Sequence, residues 1–283
     1  MRIRLSPVVT VFLCFLAVSI FPAASRAQYK EIDHLGQDLA QSCQKRLEDK
    51  IFAVSDLQDS TRTNGEQGHY FSLLLTSAIN FHRKGELVVA DHNEFDSTLQ
   101  KIGISSRSFT TPTMATAIAG KIKADILIIG DFLQEPNAYS LHVSGVRPSD
   151  GAVLCSVNMK FRRNAFLDSF ASPFPPPNGD IPIKMTVSDT NQHLIPPACK
   201  HCPIPEYTGV ARAAKLQGTV VFETMVSKEG KVVALRPRKA LGLGLDEAAY
   251  DQIAYKWKMK PATTKDGIPV TVIVPIEVTF RLY

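Results

Sequence analysis

A run rich in proline divides the chain and limits how it can fold. Residues 172–185 read SPFPPPNGDIPIKM, with five prolines at 173, 175, 176, 177 and 182. Proline fixes φ and lacks a backbone N–H, so the run cannot continue a helix or a central strand. It is typical of a stiff, extended connector that spans about 3 Å per residue. We therefore predict two folded domains, at 28–171 and 199–283, joined by a linker at 172–198.

The first 27 residues have the pattern of a secretory signal peptide. Arg2 and Arg4 precede an uncharged apolar run over residues 8–24, and small residues at 25 and 27 fit a processing site. The alternative is an uncleaved membrane anchor, because the run is only slightly shorter than the about 20 residues of a spanning helix. In both interpretations the rest of the chain is exported across the inner membrane. We expect a protein of the periplasm or cell envelope, either released or anchored in the inner membrane and facing the periplasm.

The net charge argues against a nucleic-acid partner, and the absence of known catalytic motifs argues against an enzyme. The net charge is +5, and Arg2, Arg4 and Arg26 of the first segment supply three of these charges, so the remaining excess is too small for a nucleic-acid partner. The sequence lacks a glycine-rich phosphate loop, a Gly-x-Ser-x-Gly elbow and a His-Glu-x-x-His motif. Asp56 and Asp59 lie at and just after the end of a predicted strand, where acidic residues in a polar loop are typical turn formers. We predict a non-enzymatic protein without cofactor, metal or small-molecule substrate.

Residues 28–171 predict an α/β domain, with helices packed on a mixed sheet. Short apolar runs predict strands at 50–57, 86–91 and 124–133. Apolar residues spaced by three and four predict helices near 71–82, 92–102 and 112–123. Residues 138–161 predict a hairpin that turns at the sequence PSDG. The strand at 124–133 is almost continuously aliphatic, as expected of a strand covered on both faces.

This part of the chain resembles a family of bacterial envelope proteins. The runs FAVSDL, GHYFSLLLTSAI, LVVADHNEFDSTLQKIGI and ADILIIGDF resemble the amino-terminal domains of the CsgG/FlgO-like proteins, over about 50–161. The resemblance implies a role in assembly or at a surface, and no chemistry.

Residues 203–283 predict a small α+β domain in the order helix, β-hairpin, helix, β-strand. A helix near 207–215 precedes a strand at 217–226, and the sequence SKEGK predicts a turn with glycine at positive φ. A helix face that ends with Trp257 follows the hairpin, and Pro261 stops that helix. Apolar residues alternate with mostly polar ones from Val270 to Leu282, which predicts a long strand with one buried face.

The same residues are similar to the carboxy-terminal domain of the TonB family, the energy transducers of the bacterial envelope. The runs EYTGVARAAKLQGTV, KEGKV, GLDEAAYDQIAYKWKMKPA and VPIEVTFRL carry the similarity, over about 203–283. It implies that an extended partner segment, such as one from an outer-membrane transporter, pairs beside the closing strand in the periplasm and serves energy-coupled transmembrane transport. The implied partner-binding residues lie near the domain start and on the closing strand: Glu206, Tyr207, Thr271, Ile273, Glu277 and Thr279.

The sequence also departs from that family. The family's Tyr-Pro near the domain start is here Tyr207-Thr208, and the long Pro/Lys/Glu-rich spacer is replaced by a short connector and a folded domain. An inner-membrane motor complex is a partner only if the amino-terminal segment stays as an anchor. A second hypothesis is therefore an envelope assembly or structural factor in which the CsgG/FlgO-like domain is dominant.

The pair Cys199 and Cys202 leaves a third hypothesis open, a periplasmic redox or zinc protein. Prolines after Cys202 argue against the helix that stabilises a redox thiolate. Zinc needs two further ligands, for which His193 and His201 are the near candidates. In an oxidising compartment a local disulfide between the two cysteines is favoured. The remaining exported cysteines, at positions 43 and 155, form a second disulfide or stay buried as thiols.

Overall fold

The computed structural model describes residues 34, 37–39, 41, 42, 51–60, 65–82, 92–104, 111–122, 124–170, 174, 181–185 and 194–282. The predicted signal peptide or anchor, the predicted strand at 86–91 and much of the predicted linker lie outside these residues. Within this part of the chain, no helix combines the length and the apolar character needed to cross a membrane.

The amino-terminal domain is built on a five-stranded mixed sheet. Strands β1 (Phe52–Val54) and β2 (Gln58–Asp59) both run parallel to β3 (Ile126–Gln134). On its other side β3 pairs antiparallel with β4 (Ala138–Val146), which forms a hairpin with β5 (Val153–Arg162). The predicted mixed sheet and hairpin are therefore confirmed, and β3 lies within the strand predicted at 124–133 and continues one residue beyond it.

Side chains of β3 alternate between two hydrophobic cores, one on each face of the sheet. Ile126 and Ile128 belong to the larger core, and Leu127 and Ile129 belong to the smaller one. A strand can be aliphatic at successive positions only when both of its faces are covered. This explains the apolar run from which the strand was predicted.

Four described helices belong to this domain: α1 (Gly65–His82), α2 (His92–Lys101), α3 (Pro112–Thr116) and α4 (Ala165–Ser169). The prediction of a helix over 112–123 was too long. Gly120 has a φ of 73°, in the left-handed region that ends a helix, and the residues between α3 and this glycine form turns.

Asp56 was interpreted as a turn former, but the structure gives its side chain a different role. Its side chain is buried, and its Oδ1 atom lies 2.9 Å from Nδ1 of His69 and accepts a hydrogen bond from Oγ of Ser72 at 3.2 Å. Both partners are on α1. Asp56 therefore fixes the first turns of α1 against the end of β1.

The carboxy-terminal domain contains a second sheet with the order β10, β9, β14, β6. Strands β9 (Gly218–Val226) and β10 (Val232–Lys239) form an antiparallel hairpin, and β14 (Val272–Phe280) pairs antiparallel with β9. Gly230 in the hairpin turn has a φ of 76°, as its position in the sequence predicts. A Cβ atom there would lie 2.2 Å from the carbonyl oxygen of Met259, so the turn requires glycine.

Two helices accompany this sheet, α5 (Gly209–Ala213) and α6 (Leu245–Tyr255). Helix α5 begins at Thr208, whose Oγ1 atom accepts a hydrogen bond from the backbone N–H of Ala211 at 3.2 Å. The same hydroxyl donates to the carbonyl oxygen of Leu243 at 2.6 Å. The threonine that replaces the family's proline therefore joins α5 to the loop before α6.

The predicted linker contributes strands to the carboxy-terminal domain. Its described residues supply two short strands, β6 (Ile183–Lys184) and β7 (Leu194–Ile195), and the first residue of a third, β8 (Ala198–His201). Their partners are β14 for β6, β12 (Ala262–Thr264) for β7 and β11 (Lys258–Lys260) for β8, and β12 also pairs with β13 (Pro269–Val270). These strands were missed because pieces of two to four residues have no readable alternation. The predicted connector is thus paired to the domain wherever its strands are described.

The two domains share one hydrophobic core across α1, α4 and α6. Tyr70 on α1 lies 5.2 Å from Phe166 and 4.8 Å from Phe170, measured between ring centroids. Phe166 in turn lies 5.4 Å from Tyr250 on α6. Aromatic pairs of this kind contribute about 0.5–1.5 kcal/mol each beyond the burial of their area. The rings therefore join the two sheets into one packed unit.

A buried tyrosine meets two buried carboxyl groups at this interface. The hydroxyl of Tyr70 donates to Oε1 of Glu247 at 3.0 Å and lies 3.5 Å from Oδ2 of Asp246. Asp246 also accepts the backbone N–H groups of Leu241 and Gly242, both at 2.7 Å. Burial raises the pKa of Asp246 to about 7, and burial together with the Asp246 charge raises the pKa of Glu247 to about 8. Both groups hold protons more tightly in the folded protein than in the unfolded chain.

This difference predicts a stability that falls as pH rises. The unfolded chain releases these protons above about pH 4, whereas the folded state keeps them until about pH 7 to 8. Between those limits each carboxyl lowers the free energy of unfolding by at most about 1.4 kcal/mol per pH unit. We expect Glu247→Gln, which keeps the side-chain shape without the acid, to raise Tm at about pH 8 and to flatten its pH dependence.

Thermal unfolding of the full chain from about pH 5 to pH 9 measures this effect. Glu277→Gln, at an exposed position, is the matched control and should follow the wild type. A wild-type Tm that does not fall across this range, or a Glu247→Gln variant less stable than wild type at the alkaline end, would contradict the prediction.

Candidate partner-binding edge

Beyond its short pairing with β6, the outer edge of β14 is open to another strand among the described residues. On its inner side, β14 pairs with β9 along all 9 of its residues, from Val272 opposite Val226 to Phe280 opposite Gly218. On its outer side, only Val272 and Ile273 pair with β6. Among the described residues, no strand pairs with the outer side of 274–280.

The hydrogen bonds to β6 show which residues of β14 direct their backbone outward. The N–H of Ile183 donates to the carbonyl oxygen of Thr271 at 3.0 Å, and the N–H of Met185 donates to that of Ile273 at 2.9 Å. Backbone groups alternate in direction along a strand. The odd-numbered residues, including Glu277 and Thr279, therefore direct their N–H and C=O groups outward, and the even-numbered residues bond to β9.

Pro275 fits this alternation. It is an odd-numbered residue, so the N–H that it lacks would have pointed away from β9. The pairing with β9 continues through it without interruption, with Pro275 opposite Glu223. Proline in a strand is confined to edge positions of this kind. The missing N–H therefore affects only the outer edge, which has one hydrogen-bond donor fewer near its middle.

Side chains of β14 alternate as the sequence predicts. Val274, Ile276 and Val278 are buried, and Pro275, Glu277 and Thr279 are exposed, the last with Oγ1 lying 3.0 Å from Oγ1 of Thr219 on β9. Three of the predicted partner-binding residues, Ile273, Glu277 and Thr279, therefore share the outward backbone direction and the solvent side of the strand.

Thr271 and Tyr207, also predicted to bind a partner, have bonds within the domain. Thr271 is buried, and its Oγ1 atom accepts the N–H of Lys228 in the hairpin turn at 3.2 Å. The hydroxyl of Tyr207 donates to the carbonyl oxygen of Leu216, and its ring meets that of Phe280 edge to face at 5.6 Å. Their contacts here serve the fold, and their part in partner binding stays a prediction.

The sixth predicted residue, Glu206, is exposed and precedes α5. The ring of its neighbour Tyr207 is half-buried, with the guanidinium carbon of Arg212 at 5.4 Å from the ring centroid. The ring thereby closes the end of the sheet beside Phe280. Glu206 keeps its side chain on the surface next to this end of β14.

A chain of ion pairs crosses the exposed face of the sheet from its outer edge to the first domain. Nζ of Lys184 on β6 lies 3.4 Å from Oε1 of Glu223 on β9. Arg238 on β10 donates to Oε2 of Glu223 at 2.5 Å and also to Oε1 of Glu66 on α1. Burial opposes ionisation of Glu223, but the hydrogen bonds from Arg238 and Lys184 outweigh it and hold its pKa below the ordinary value. This chain links the candidate edge to α1, and nothing in the sequence pattern indicated it.

The cysteine pair lies outside the edge. Cys199 is on β8, and the structure joins it to Cys202 by a disulfide with a Cα–Cα distance of 5.9 Å. The Cys202 sulfur lies 3.8 Å from the Met259 sulfur. Of the two zinc candidates, His201 on β8 lies opposite Lys258 on β11, and His193 is outside the described residues. Within those residues no group of three or more metal-ligating side chains occurs.

The oxidation states of the cysteines stay predictions. Cys155 lies on β5, and Cys43 is outside the described residues. The structure records Cys155 in a disulfide, and the pairing of Cys155 with Cys43 stays a prediction.

Several solved structures of bacterial proteins are similar to part of the chain. The NMR structure of E. coli LpoB is 19% identical, with 40% of this chain and 57% of that chain covered and a TM-score of 0.34. The LpoB C-terminal domain from Escherichia coli is 16% identical, with 47% of this chain and 99% of that chain covered and a TM-score of 0.38. The lipoprotein GNA1162 from Neisseria meningitidis is 14% identical, with 41% and 83% covered and a TM-score of 0.31.

Other comparisons concern the sequence itself. No curated protein matches the chain. The resemblance predicted for about 203–283 is confirmed: residues 203–282 match the family model described as Gram-negative bacterial TonB protein C-terminal.

Proposed function

We propose that the chain is a non-enzymatic envelope protein whose carboxy-terminal domain binds an extended segment of a partner protein as an added strand. The observation that carries this proposal is the outward backbone of Glu277 and Thr279 on β14, with which no described strand pairs. A sheet edge of unpaired N–H and C=O groups accepts an extended peptide through main-chain hydrogen bonds. The TonB family match over 203–282 supports the same role.

The opposite edge of the sheet is protected. Strand β10 has irregularities in its register at two places, contains Pro237, and carries Arg236 and Arg238. Bulges, proline and charged side chains are the usual means by which proteins block strand addition. The Arg236 guanidinium also lies 4.9 Å from the ring of Phe174 in the connector. Strand β14 has an unbroken register with β9, which makes its outer side the better surface for a guest strand.

The proposed partner is a periplasmic or outer-membrane protein, such as an outer-membrane transporter. Main-chain pairing along a strand resists being pulled apart because several hydrogen bonds share the load. A pull on the guest would pass from β14 to β9 and then, through the shared core around Tyr70 and Tyr250, to the amino-terminal domain. If residues 1–27 are retained as an anchor, an inner-membrane motor becomes a further partner, and the function becomes energy-coupled transport.

A second candidate function is an envelope assembly or structural factor led by the amino-terminal domain. The observation that favours it is the buried contact of Tyr70 with Glu247, because this contact holds the two domains as one unit. In that case the carboxy-terminal domain positions the first domain, and partners bind to the first domain.

Proline substitutions on β14 separate backbone recognition from folding. Glu277→Pro removes one outward N–H and no bond to β9, whereas Ile276→Pro removes a bond to β9. We expect Ile276→Pro to lower the free energy of unfolding by about 1 kcal/mol or more, and Glu277→Pro to remain close to wild type. Thermal unfolding of the two variants measures this difference.

The same variants test partner binding. The full chain, immobilised as wild type, Glu277→Ala and Glu277→Pro, is used to capture proteins from solubilised envelopes, and the captured proteins are quantified by mass spectrometry. A partner of the edge is retained by wild type and by Glu277→Ala, which keeps the backbone N–H, and is reduced by Glu277→Pro. Equal capture by all three, or capture of assembly proteins alone, would contradict strand addition and favour the second candidate.

A further inference from the structure

The start of the proposed binding edge is already occupied by the chain itself. We propose that the internal segment, residues 181–185, is a built-in competitor that a partner strand must displace to use the whole outer edge of β14. This inference rests on the proposed function, since it concerns the same edge. It concerns regulation of the site and the chemistry of the strand that fits it.

The internal segment makes the contacts of a guest strand. It runs parallel to β14, with Ile183 opposite Val272 and Lys184 opposite Ile273. Its N–H groups at Ile183 and Met185 donate to β14 at 3.0 and 2.9 Å. The Met185 side chain is only 4% exposed and belongs to the shared core. The segment is therefore docked through both its backbone and one buried side chain.

The rest of the edge is short of donors. Beyond Ile273, the outward N–H groups are those of Glu277 and Thr279, because Pro275 has none. A strand that pairs only with this part gains few hydrogen bonds. A strand that also replaces the internal segment gains the outward groups of Thr271 and Ile273 as well. Stable pairing of a guest thus favours displacement.

The interactions that keep the internal segment on β14 are modest in strength, as expected of a segment that a partner strand can displace. Besides its backbone hydrogen bonds to β14 and one buried methionine, it has an ion pair between Lys184 and Glu223 at 3.4 Å, with the Lys184 side chain 70% exposed. Exposed ion pairs contribute little. The segment competes mainly because it is tethered, since a tether of this kind gives an effective concentration of about millimolar. A guest strand that pairs weakly is excluded, and one that pairs over a longer stretch replaces it.

The internal segment also indicates the chemistry of a fitting guest. At the position of Met185 the edge accepts an apolar side chain turned toward the core. At the position of Lys184 it places a basic side chain near the Glu223 carboxylate, on the opposite face of the strand. We expect a partner segment that runs parallel to β14 and presents a basic residue followed by an apolar one.

The probe for this inference is a labelled peptide that copies residues 180–187, DIPIKMTV. Its binding to the full chain is measured by fluorescence anisotropy. The double variant Ile183→Pro/Met185→Ala loses one donor to β14 and the buried side chain. Ile181→Ala is the control, because the Ile181 side chain is 90% exposed and precedes β6. We expect the double variant to bind the peptide at least about tenfold more tightly than wild type, and Ile181→Ala to stay within about twofold.

A further variant guards against a folding defect. If circular dichroism shows that the double variant is unfolded, the single variant Ile183→Pro is used instead, because it changes only a partly exposed side chain. We expect this variant to bind the peptide at least about threefold more tightly than wild type. Equal affinity of wild type and of a folded Ile183→Pro variant overturns the inference.

Failure of this inference is distinguishable from failure of the proposed function. Suppose that Ile183→Pro and wild type capture the same envelope partner equally, and that Ile183→Pro binds the peptide no more tightly than wild type does. Strand addition then stands, and internal competition is wrong. If Ile183→Pro gains affinity for the peptide but no variant captures an envelope protein through β14, internal competition stands and the proposed partner role is wrong.

Discussion

The candidate site depends on the antiparallel pairing of β14 with β9. That pairing uses the N–H and C=O groups of the even-numbered residues and buries their side chains, so Val274, Ile276 and Val278 hold the strand to the core. By the same alternation, the backbone of Glu277 and Thr279 is directed outward. Pro275 is tolerated because its missing N–H lies on the outer side. One register thus determines the buried face, the open edge and the place of the proline.

A second constraint is the core that the two domains share. Tyr70, Phe166 and Tyr250 pack across the domain boundary, and the hydroxyl of Tyr70 meets two carboxyl groups whose pKa values burial raises to about 7 and about 8. Ion pairs from Lys184 through Glu223 and Arg238 reach Glu66 on α1. The candidate edge is therefore attached to a packed unit with two sheets, and the connector is part of that unit where its strands are described. This arrangement suits a domain that holds a partner strand under load.

Local patterns in the sequence predicted much of the fold. The alternation from Val270 to Leu282 predicted a strand with one buried face, and the aliphatic run before Phe132 predicted a strand covered on both faces. Contacts between distant residues had no such signal. Glu247 lies 177 residues from Tyr70, and an acidic residue at a helix start normally indicates exposure. The pairing of Ile183 with β14 was hidden because prolines around it predicted an unpaired linker. Glu277 and Thr279 were found from the family resemblance, whereas their outward direction required the register with β9.

Amide hydrogen exchange along β14, measured residue by residue by NMR on the full chain, tests the central claim most directly. Alternating protection is expected: the N–H groups of Ile276 and Val278 exchange slowly because they bond to β9, and those of Glu277 and Thr279 exchange fast because they face solvent. Slow exchange at Glu277 and Thr279 equal to that of their neighbours would mean that the chain itself covers this edge, and strand addition there would be ruled out.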